Sequence, residues 1–404
     1  MFEGLNLISF SFSRLGLFFT ILFGLIGLLS ILYSLSDKRV NKIWGGIILL
    51  TLSGIGIALA NNLLLVFVLW EISTIAVWQL VAYYRDPASL RASALTFLFN
   101  LGSATFMLVG IGLIFLETKT LDLSLLSERS FSLLAGILVL ISILTKSAIL
   151  PFYIWLVPAY KNAPIPAIAS LSGIAENIGL ILFLKLFVLT ATRPMEFYSL
   201  GSGLAIVSSI LAGGIALLAP DLRKVLTYST ISQLGLILFG LSVMKFSGVM
   251  GGILHILTHS LAKPGLFFAM GILETRRGGN EKIAISWRRL SLPFALLSLS
   301  LIGLPPFLGF FSKLGIVIGA IESSYLFGIG AIVSSLFTLL YLVRIYRGLF
   351  LSNASSLLND KSNQGNAGIG IGIIYILAFL SLLLGIFFFL LIKYLEPELR
   401  LWMK

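Results

Sequence analysis

The sequence predicts an all-α, polytopic membrane protein with about 12 transmembrane helices. Of its 404 residues, 58% are hydrophobic and only 11% are charged, and the mean hydropathy is +1.06. Soluble domains carry about 25% charged residues, so this composition excludes a soluble domain. Apolar stretches of roughly 20 residues, the length that crosses a bilayer as a helix, recur along the whole chain.

Each predicted span is one of these apolar stretches, bounded by charged or turn-forming residues. Because only short linkers separate the stretches, we expect a single membrane domain over residues 1–404. The first stretch follows a single basic residue and has no small-residue cleavage site, which predicts a retained helix and not a signal peptide. We place the spans near residues 13–35, 43–62, 63–83, 92–116, 132–157, 164–190, 200–219, 223–243, 247–273, 290–319, 324–347 and 367–393.

The basic residues predict the orientation of these spans. The net charge is +12, and 16 of the 28 Lys and Arg residues fall in the loops of one side, against 8 on the other side and 4 within spans. Cytoplasmic loops are enriched in Lys and Arg, so both termini are predicted to face outward. We expect the membrane to be the plasma membrane of a prokaryote. The basic residues do not alternate with aromatic ones, so the charge does not indicate nucleic-acid binding.

The third and fifth spans contain oppositely charged residues. Glu71 lies in LLLVFVLWEISTIAVWQLV and Lys146 in LVLISILTKSAILPF. An ionised group at the bilayer centre costs about 2.5–3.5 kcal/mol, and such groups usually pair or line an ion path. Each of these side chains stabilises the charged form of the other when they approach. We therefore predict a gated proton-loading pair, with a static ion pair that fixes helix packing as the alternative.

Proline predicts a break in the fifth and tenth spans, and each of these spans also carries a lysine. Pro151 follows Lys146, and Pro305–Pro306 precede Lys313. Broken helices persist inside membranes where neighbours or water satisfy the freed backbone groups. Two broken, charged helices suggest an inverted repeat around a central ion path. The alternative is a simple kink in a packing helix.

The sixth span carries Glu176 next to Asn177, both deep within an apolar segment. Lys185 follows nine residues after Glu176, which places it about 180° round an ideal helix and near the end of the span. We expect Glu176 to belong to the ion path. We expect Lys185 to extend towards the lipid headgroups as an anchor.

The ninth span contains His255, His259 and Lys263 at i, i+4 and i+8, which places them on one stripe of the helix. Imidazole titrates near neutral pH and can accept and donate through different nitrogens, so this stripe is suited to a proton relay. Two alternatives remain open. Histidines at i, i+4 can bind zinc, although no third ligand is apparent, or they can form a satisfied buried polar pair.

Three polar stretches separate the spans, at 117–130, 274–289 and 352–366. The third is rich in Ser and Asn and precedes the last helix, and we predict a mobile loop or a docking surface for another subunit. The helix at 367–393 is then an extra C-terminal helix outside the repeats.

The chain has no cysteines, which excludes a disulfide, a thiolate metal site and a cysteine-ligated iron–sulfur cluster within it. It also has no phosphate loop, nucleophile elbow or paired-carboxylate hydrolytic site. We therefore expect no cofactor, no metal and no catalytic site in this chain. Any redox chemistry belongs to a partner.

Five ordered segments carry a family resemblance: NNLLLVFVLWE (61–71), LTKSAILPFYIWLVPAYKNAPIPAIASLSG (144–173), DLRKVLTYSTISQLG (221–235), HILTHSLAKPGLFFAMG (255–271) and LIGLPPFLGFFSK (301–313). Over residues 10–350, the chain resembles the antiporter-like subunits of respiratory complex I. This family includes large subunits of multisubunit cation/proton antiporters and membrane subunits of energy-converting hydrogenases. The resemblance implies two inverted five-helix repeats, which we assign to 43–190 and 200–350, with a polar axis in the membrane midplane.

The resemblance also implies roles for individual residues. Glu71 matches the glutamate of the family's fifth helix and Lys146 the lysine of its first broken helix. Two departures stand out: the family commonly has two more helices before the position of Glu71, and Asn177 stands where many members have a lysine. The remaining matches are His255, His259 and Lys263 with the central relay, and Lys313 with the terminal lysine of the second broken helix.

We therefore predict a proton-translocating subunit of a multisubunit membrane redox complex, with sodium as the second candidate ion. Because the chain is short, we favour a hydrogenase-like or related respiratory complex over complex I. The expected partners are the lipid bilayer, related antiporter-like subunits, other membrane subunits and cluster-bearing redox subunits. One alternative is a subunit of a stand-alone cation/proton antiporter. The other is a structural spacer that no longer transports ions.

Overall fold

The computed structural model describes residues 9–36, 40, 42–190, 195–277, 284–351 and 368–402. In this part of the chain the fold is all-helical, and two isolated β-bridges join loop residues. Nine of the described helices are long and apolar enough to cross a membrane, and shorter apolar helices accompany them. The all-α polytopic fold is thus confirmed. The count of about twelve spans stays a prediction.

Several helices in the first half of the chain begin with side-chain caps. Asn62, Asp86 and Ser132 each accept hydrogen bonds from backbone N–H groups of the helix that follows, which would otherwise lack partners. The helices of this half are α1 (Arg14–Leu35), α2 (Trp44–Leu59), α3 (Leu63–Val81), α4 (Pro87–Thr118), α5 (Leu123–Leu126), α6 (Leu133–Lys146), α7 (Leu156–Asn162), α8 (Ile165–Ser170) and α9 (Glu176–Phe183).

In the second half, Asp221 caps the second helix. The helices are α10 (Met195–Leu218), α11 (Leu222–Ser242), α12 (Phe246–Arg277), α13 (Ala284–Ile302), α14 (Leu308–Ser323), α15 (Tyr325–Tyr346), α16 (Gly368–Ile386) and α17 (Phe388–Trp402). Three of them, α12, α13 and α17, contain an internal proline.

Both predicted helix breaks are present. The first separates α6 from α7 over residues 147–155, and the second separates α13 from α14 over residues 303–307. Gly303 has φ +88°, a backbone conformation that favours glycine. Side chains satisfy carbonyl groups beside each break. Trp155 Nε1 donates to the carbonyl of Thr145 at 2.8 Å, and Lys313 Nζ donates to that of Ile302 at 3.3 Å.

Two long spans form the centre of the bundle. The first, Ile165–Val188, consists of α8, α9 and two π-helical turns at Leu171–Ala175 and Leu184–Val188. The second is α12. The apolar windows of both are 100% buried by other helices, whereas α4, α15 and α16 are only 33–39% buried and expose apolar side chains to lipid. Any polar group on the two central spans therefore has protein around it.

Glycines let α12 and α14 pack with their backbones in contact. A Cβ atom on Gly251 would lie 2.5 Å from the backbone nitrogen of Ile316, and one on Gly319 would lie 2.4 Å from that of Gly248. These distances leave no room for a side chain. The contact fixes the second broken helix against the helix that carries the histidines.

Two sequence predictions fall on other parts of the chain. The Ser- and Asn-rich stretch 352–366, predicted as a mobile loop or a docking surface for another subunit, lies outside the described residues, as do residues 278–283 of the stretch 274–289. Both remain predictions.

Candidate functional site

Glu71, which is partly buried on α3, lies near the buried Lys146 at the end of α6. Lys146 is 1% exposed, and its Nζ donates to Thr74 Oγ1 at 3.0 Å and lies 5.3 Å from the ring centre of Trp70. Glu71 Oε1 is buried without a hydrogen-bond partner among the described residues. The two charges attract each other, yet no ion pair within 4.0 Å joins them. Glu71 and Lys146 therefore attract each other without forming an ion pair.

Glu176 is fully buried at the start of α9, directly after the first π-helical turn. The Tyr160 hydroxyl donates to its Oε1 at 2.5 Å, while Oε2 has no hydrogen-bond partner in the described part of the chain. Ser147, which follows Lys146, donates to the backbone carbonyl of Glu176 at 2.9 Å. The first broken helix therefore contacts the helix that carries the second carboxylate.

Asn177 connects the same helix to α12. Its Nδ2 donates to Ser260 Oγ at 3.0 Å and to the carbonyl of Gly173 at 3.1 Å. Asn177 stands where the resemblance implies a lysine, so a neutral amide bridges the two central helices at that point.

His255, His259 and Lys263 are all fully buried on α12, as the predicted stripe requires. Lys263 Nζ donates to Ser229 Oγ and, at 2.9 Å, to the carbonyl of Leu226, and it is attracted by Glu176. The two ring nitrogens of His259 have no hydrogen-bond partner among the described side chains and backbone groups. On the stripe, the His259 ring lies between His255 and Lys263, two groups that can exchange protons.

His255 links the stripe to the second broken helix. Its Nε2 lies 2.9 Å from Gln233 Oε1, and its Nδ1 lies 2.9 Å from Ser312 Oγ. The neighbouring residue, Lys313, is 6% exposed and interacts electrostatically with His255. The structure therefore places His255, Ser312 and Lys313 together at one end of the stripe.

Several partners of these groups were missed by the sequence analysis. Gln233 lies within the segment DLRKVLTYSTISQLG but was not selected, although its Nε2 donates to Thr338 Oγ1 at 2.9 Å and to the Tyr341 hydroxyl at 3.2 Å. The signal that could have identified Gln233 is a side-chain amide inside a buried membrane helix. The other missed partners are Thr74, Tyr160, Ser229 and Ser312.

The prediction for Lys185 was wrong. Its Nζ does not extend away from the protein but donates to the carbonyls of Ile57 at 3.1 Å, Ala58 at 2.9 Å and Ala60. These carbonyls belong to the C-terminal end of α2, which carries partial negative charge. Lys185 therefore caps a neighbouring helix, and it also interacts electrostatically with Glu398 on α17.

The described residues contain no group of three or more His, Asp or Glu side chains placed to hold a metal ion. The zinc alternative for His255 and His259 therefore has no third ligand in this part of the chain. The arrangement can move a charge between neighbouring titratable groups, because these groups alternate with hydroxyl and amide side chains along the centre of the bundle.

Comparison with known proteins gives matches along most of the chain. The signature of the family described as NADH:quinone oxidoreductase/Mrp antiporter, transmembrane, matches residues 60–338. NADH-quinone oxidoreductase subunit N of Desulforudis audaxviator is 29% identical over 313 residues, which cover 74% of this chain and 62% of that protein. One Na(+)/H(+) antiporter subunit of Alkalihalophilus pseudofirmus is 30% identical over 333 residues, 74% of this chain and 41% of that protein. The chain thus spans about half the length of the curated relatives it matches.

Solved structures share the fold. A chain of respiratory complex I from Thermus thermophilus with bound NADH superposes with a TM-score of 0.87 over 98% of this chain and 85% of that chain, at 22% identity. A chain of the membrane-bound sulfane sulfur reductase, an archaeal respiratory membrane complex, gives 0.86 over 98% and 85%, also at 22% identity. A chain of the Mrp complex from Dietzia sp. gives 0.86 over 97% and 84%, again at 22% identity.

Proposed function

Because this chain belongs to the NADH:quinone oxidoreductase/Mrp antiporter transmembrane family, we propose that it is an ion-translocating subunit of a multisubunit membrane complex. Its ion is the proton, with sodium as the second candidate. It moves the ion along the buried polar axis formed by Glu71, Lys146, Glu176, the stripe on α12 and Lys313. The complex lies in the plasma membrane of a prokaryote, with both termini of this chain outside.

The observation that supports translocation most directly is the state of the buried charges. Neither Lys146 with Glu71 nor Lys263 with Glu176 forms an ion pair within 4.0 Å among the described residues. Each lysine instead donates to a hydroxyl group, Thr74 or Ser229. A packing device would hold its charges in contact, because a buried charge without a partner is costly. Charges that are not held in an ion pair can approach each other or exchange protons, as translocation requires.

The axis divides into two half-channels that follow the repeats proposed for 43–190 and 200–350. The first contains Glu71, Lys146 and Glu176, and the second contains the α12 stripe and Lys313. Helix α12 contacts the helix Ile165–Val188 through Asn177 and Ser260, so the two halves meet there. Groups from both repeats then contribute to one path.

The driving reaction resides in partner chains, since this chain has no cysteine to bind an iron–sulfur cluster. We favour a hydrogenase-like or related respiratory complex with cluster-bearing subunits. A stand-alone cation/proton antiporter is the second candidate, because the relatives include one subunit of a Na(+)/H(+) antiporter. Purifying the complex from native membranes and identifying its subunits separates the two, because only the first contains cluster-bearing chains.

Replacing Lys263 with methionine tests the proposal. Methionine keeps the length and apolar volume of the side chain but removes the ammonium, so we expect the complex to assemble and lose ion transport. The matched control is Lys245→Met, at an exposed lysine outside the axis. Transport is measured in sealed vesicles with a pH-sensitive dye. Unchanged transport in Lys263→Met would favour the spacer alternative, for which the neutral Asn177 is the supporting observation.

A further inference from the structure

The two ring nitrogens of His255 face partners on two different helices. Nε2 lies 2.9 Å from Gln233 Oε1 on α11, and Nδ1 lies 2.9 Å from Ser312 Oγ on α14. All three side chains are fully buried. His259, one turn further along α12, has no partner for either nitrogen among the described residues. The ring of His255 is therefore held at both nitrogens, whereas that of His259 is not held by this part of the chain.

Helix α15 holds the side-chain amide of Gln233 in one orientation. Gln233 Nε2 donates to Thr338 Oγ1 at 2.9 Å and to the Tyr341 hydroxyl at 3.2 Å. Thr338 donates its single hydroxyl proton to the backbone carbonyl of Ser334 at 3.1 Å, so its oxygen accepts from the amide. The nitrogen of the Gln233 amide therefore faces α15, and its oxygen faces His255.

The oxygen of this amide determines which nitrogen of His255 carries hydrogen. A carboxamide oxygen accepts hydrogen bonds and has no proton to donate, so His255 Nε2 must be protonated to hydrogen-bond it. In neutral imidazole one nitrogen carries hydrogen and the other accepts, and the bond made by one nitrogen fixes the state of the other. Nδ1 is thus the unprotonated nitrogen of neutral His255. It is the atom that can bind a further proton.

The hydroxyl of Ser312 suits both charge states of His255. Its oxygen lies 2.9 Å from Nδ1 and 3.0 Å from the backbone carbonyl oxygen of Gly309, and its one proton can be donated to either. Beside neutral His255 the hydroxyl donates to Nδ1. Beside the imidazolium it accepts from Nδ1–H and donates to Gly309. The change requires rotation about one C–O bond and no displacement of a heavy atom.

We propose that Gln233 is a positioning residue for His255: it keeps Nε2 protonated, so that the transported proton binds and leaves at Nδ1, on the side of Ser312. This inference rests on the proposed function and adds to it the reacting atom and the residue that selects that atom. The proton adds to the lone pair of Nδ1 and forms imidazolium, and its loss from the same nitrogen restores the neutral ring. Gln233 and Ser312 keep their own protons throughout. Lys313, the residue after Ser312, interacts electrostatically with His255.

The tautomer of His255 is measured by ¹⁵N nuclear magnetic resonance, because the chemical shift of a ring nitrogen shows whether it carries hydrogen. This chain has two histidines, and it is the one subunit labelled with ¹⁵N-histidine in the assembled complex. The signals that disappear in His255→Gln identify His255. At alkaline pH we expect neutral His255 with hydrogen on Nε2. Hydrogen on Nδ1 in the unmodified complex would overturn the inference, whether or not any Gln233 variant assembles.

Gln233→Met tests the positioning role, because methionine has a similar length but no carboxamide oxygen. We expect a mixture of the two His255 tautomers and proton transport about 100-fold slower, the typical contribution of a positioned proton-transfer group. Ser242→Ala is the matched control, since it removes a buried hydrogen bond of 3.1 Å from the same helix to Ser202. It should change neither the tautomer nor transport, whereas a purely structural role of Gln233 would leave the His255 tautomer unchanged in Gln233→Met.

Lys263→Met, measured in parallel, separates this inference from the proposed function. If Lys263→Met abolishes transport while Gln233→Met keeps the unmodified tautomer and rate, the positioning role is wrong and the proposed function stands. If both variants transport normally, the proposed function fails together with the inference.

Discussion

Replacing Glu71 with glutamine tests whether Glu71 and Lys146 load a proton or only pack two helices together. The amide keeps the shape of the side chain and removes its negative charge. In the structure, Lys146 has Thr74 as its hydroxyl acceptor, the ring of Trp70 beside it, and Glu71 as the carboxylate that attracts it. The substitution therefore leaves the ammonium with neutral neighbours.

The size of the effect follows from the geometry. Glu71 and Thr74 are i, i+3 neighbours on α3, so their Cβ atoms are about 5–6 Å apart. Lys146 Nζ lies 3.0 Å from Thr74 Oγ1, which puts the two charges on the order of 6 Å apart. At an effective dielectric constant of about 20, unit charges at that distance attract each other by roughly 3 kcal/mol. Each 1.36 kcal/mol is about a factor of ten, so we expect coupled transport to fall about 100-fold.

The assay is proton uptake by sealed vesicles that contain the reconstituted complex, normalised to turnover of the driving reaction. Glu71→Asp should lose less, because it keeps the charge at a shorter reach. Glu322→Gln serves as the matched control, since this glutamate is exposed at the end of α14. Unchanged transport per turnover in Glu71→Gln would refute the reasoning and make the pair structural.

Three further predictions test other parts of the structure. Gly309→Ala should prevent assembly, since its Cβ would lie 1.7 Å from a backbone carbonyl oxygen, whereas Gly102→Ala, with no atom within 4 Å, should assemble normally; size-exclusion chromatography of the solubilised complex distinguishes them. Glu176→Gln should reduce transport about tenfold or more and Asn177→Ala less, because only the carboxylate can carry a proton; equal losses would contradict this assignment. Lys185→Met should lower the thermal midpoint of the complex by a few degrees, because charge-assisted hydrogen bonds contribute about 1.5–3 kcal/mol each, and an unchanged midpoint would favour a headgroup anchor.

The charged residues and the helix breaks could be predicted because their signal is local. A lysine or glutamate inside an apolar run is rare and costly, so Lys146 or Glu71 is visible without knowledge of its neighbours. Proline removes a backbone donor wherever it occurs, so the break before Lys313 is also visible in the sequence. These features need no information about which helices touch.

The hydroxyl partners could not be predicted in the same way. Ser73 and Thr74 both donate to the carbonyl of Trp70 on their own helix, at 2.6 and 3.1 Å. Membrane helices contain many serine and threonine hydroxyls that bond their own backbone. The residue type does not distinguish these hydroxyls from one that also accepts a hydrogen bond from a lysine. Only the approach of the first broken helix makes Thr74 a partner of Lys146. The sequence of α3 alone does not show this approach, because it depends on how the helices pack.

The error at Lys185 has an identifiable physical cause. The prediction assumed an ideal α-helix, on which nine residues place Lys185 opposite Glu176. The second π-helical turn, Leu184–Val188, contains Lys185 and has five-residue hydrogen bonding, so the regular register does not hold there. This span is also buried on all sides, so none of its faces is free to reach lipid. The lysine instead binds the end of α2.

The two carboxylate–lysine pairs have the same arrangement, although they lie on different helices. In each, the lysine donates to a hydroxyl and the carboxylate keeps one buried oxygen without a described partner, Glu71 Oε1 or Glu176 Oε2. A buried acceptor without a partner costs about 1–3 kcal/mol, so both sites favour a rearrangement that supplies one. Protonating the carboxylate, or bringing the lysine to it, relieves that cost at the moment when charge moves. The same condition holds at His259, whose ring nitrogens lack partners among the described residues, so the proposed path from Lys263 to His255 within the second half-channel is expected to pass through this ring.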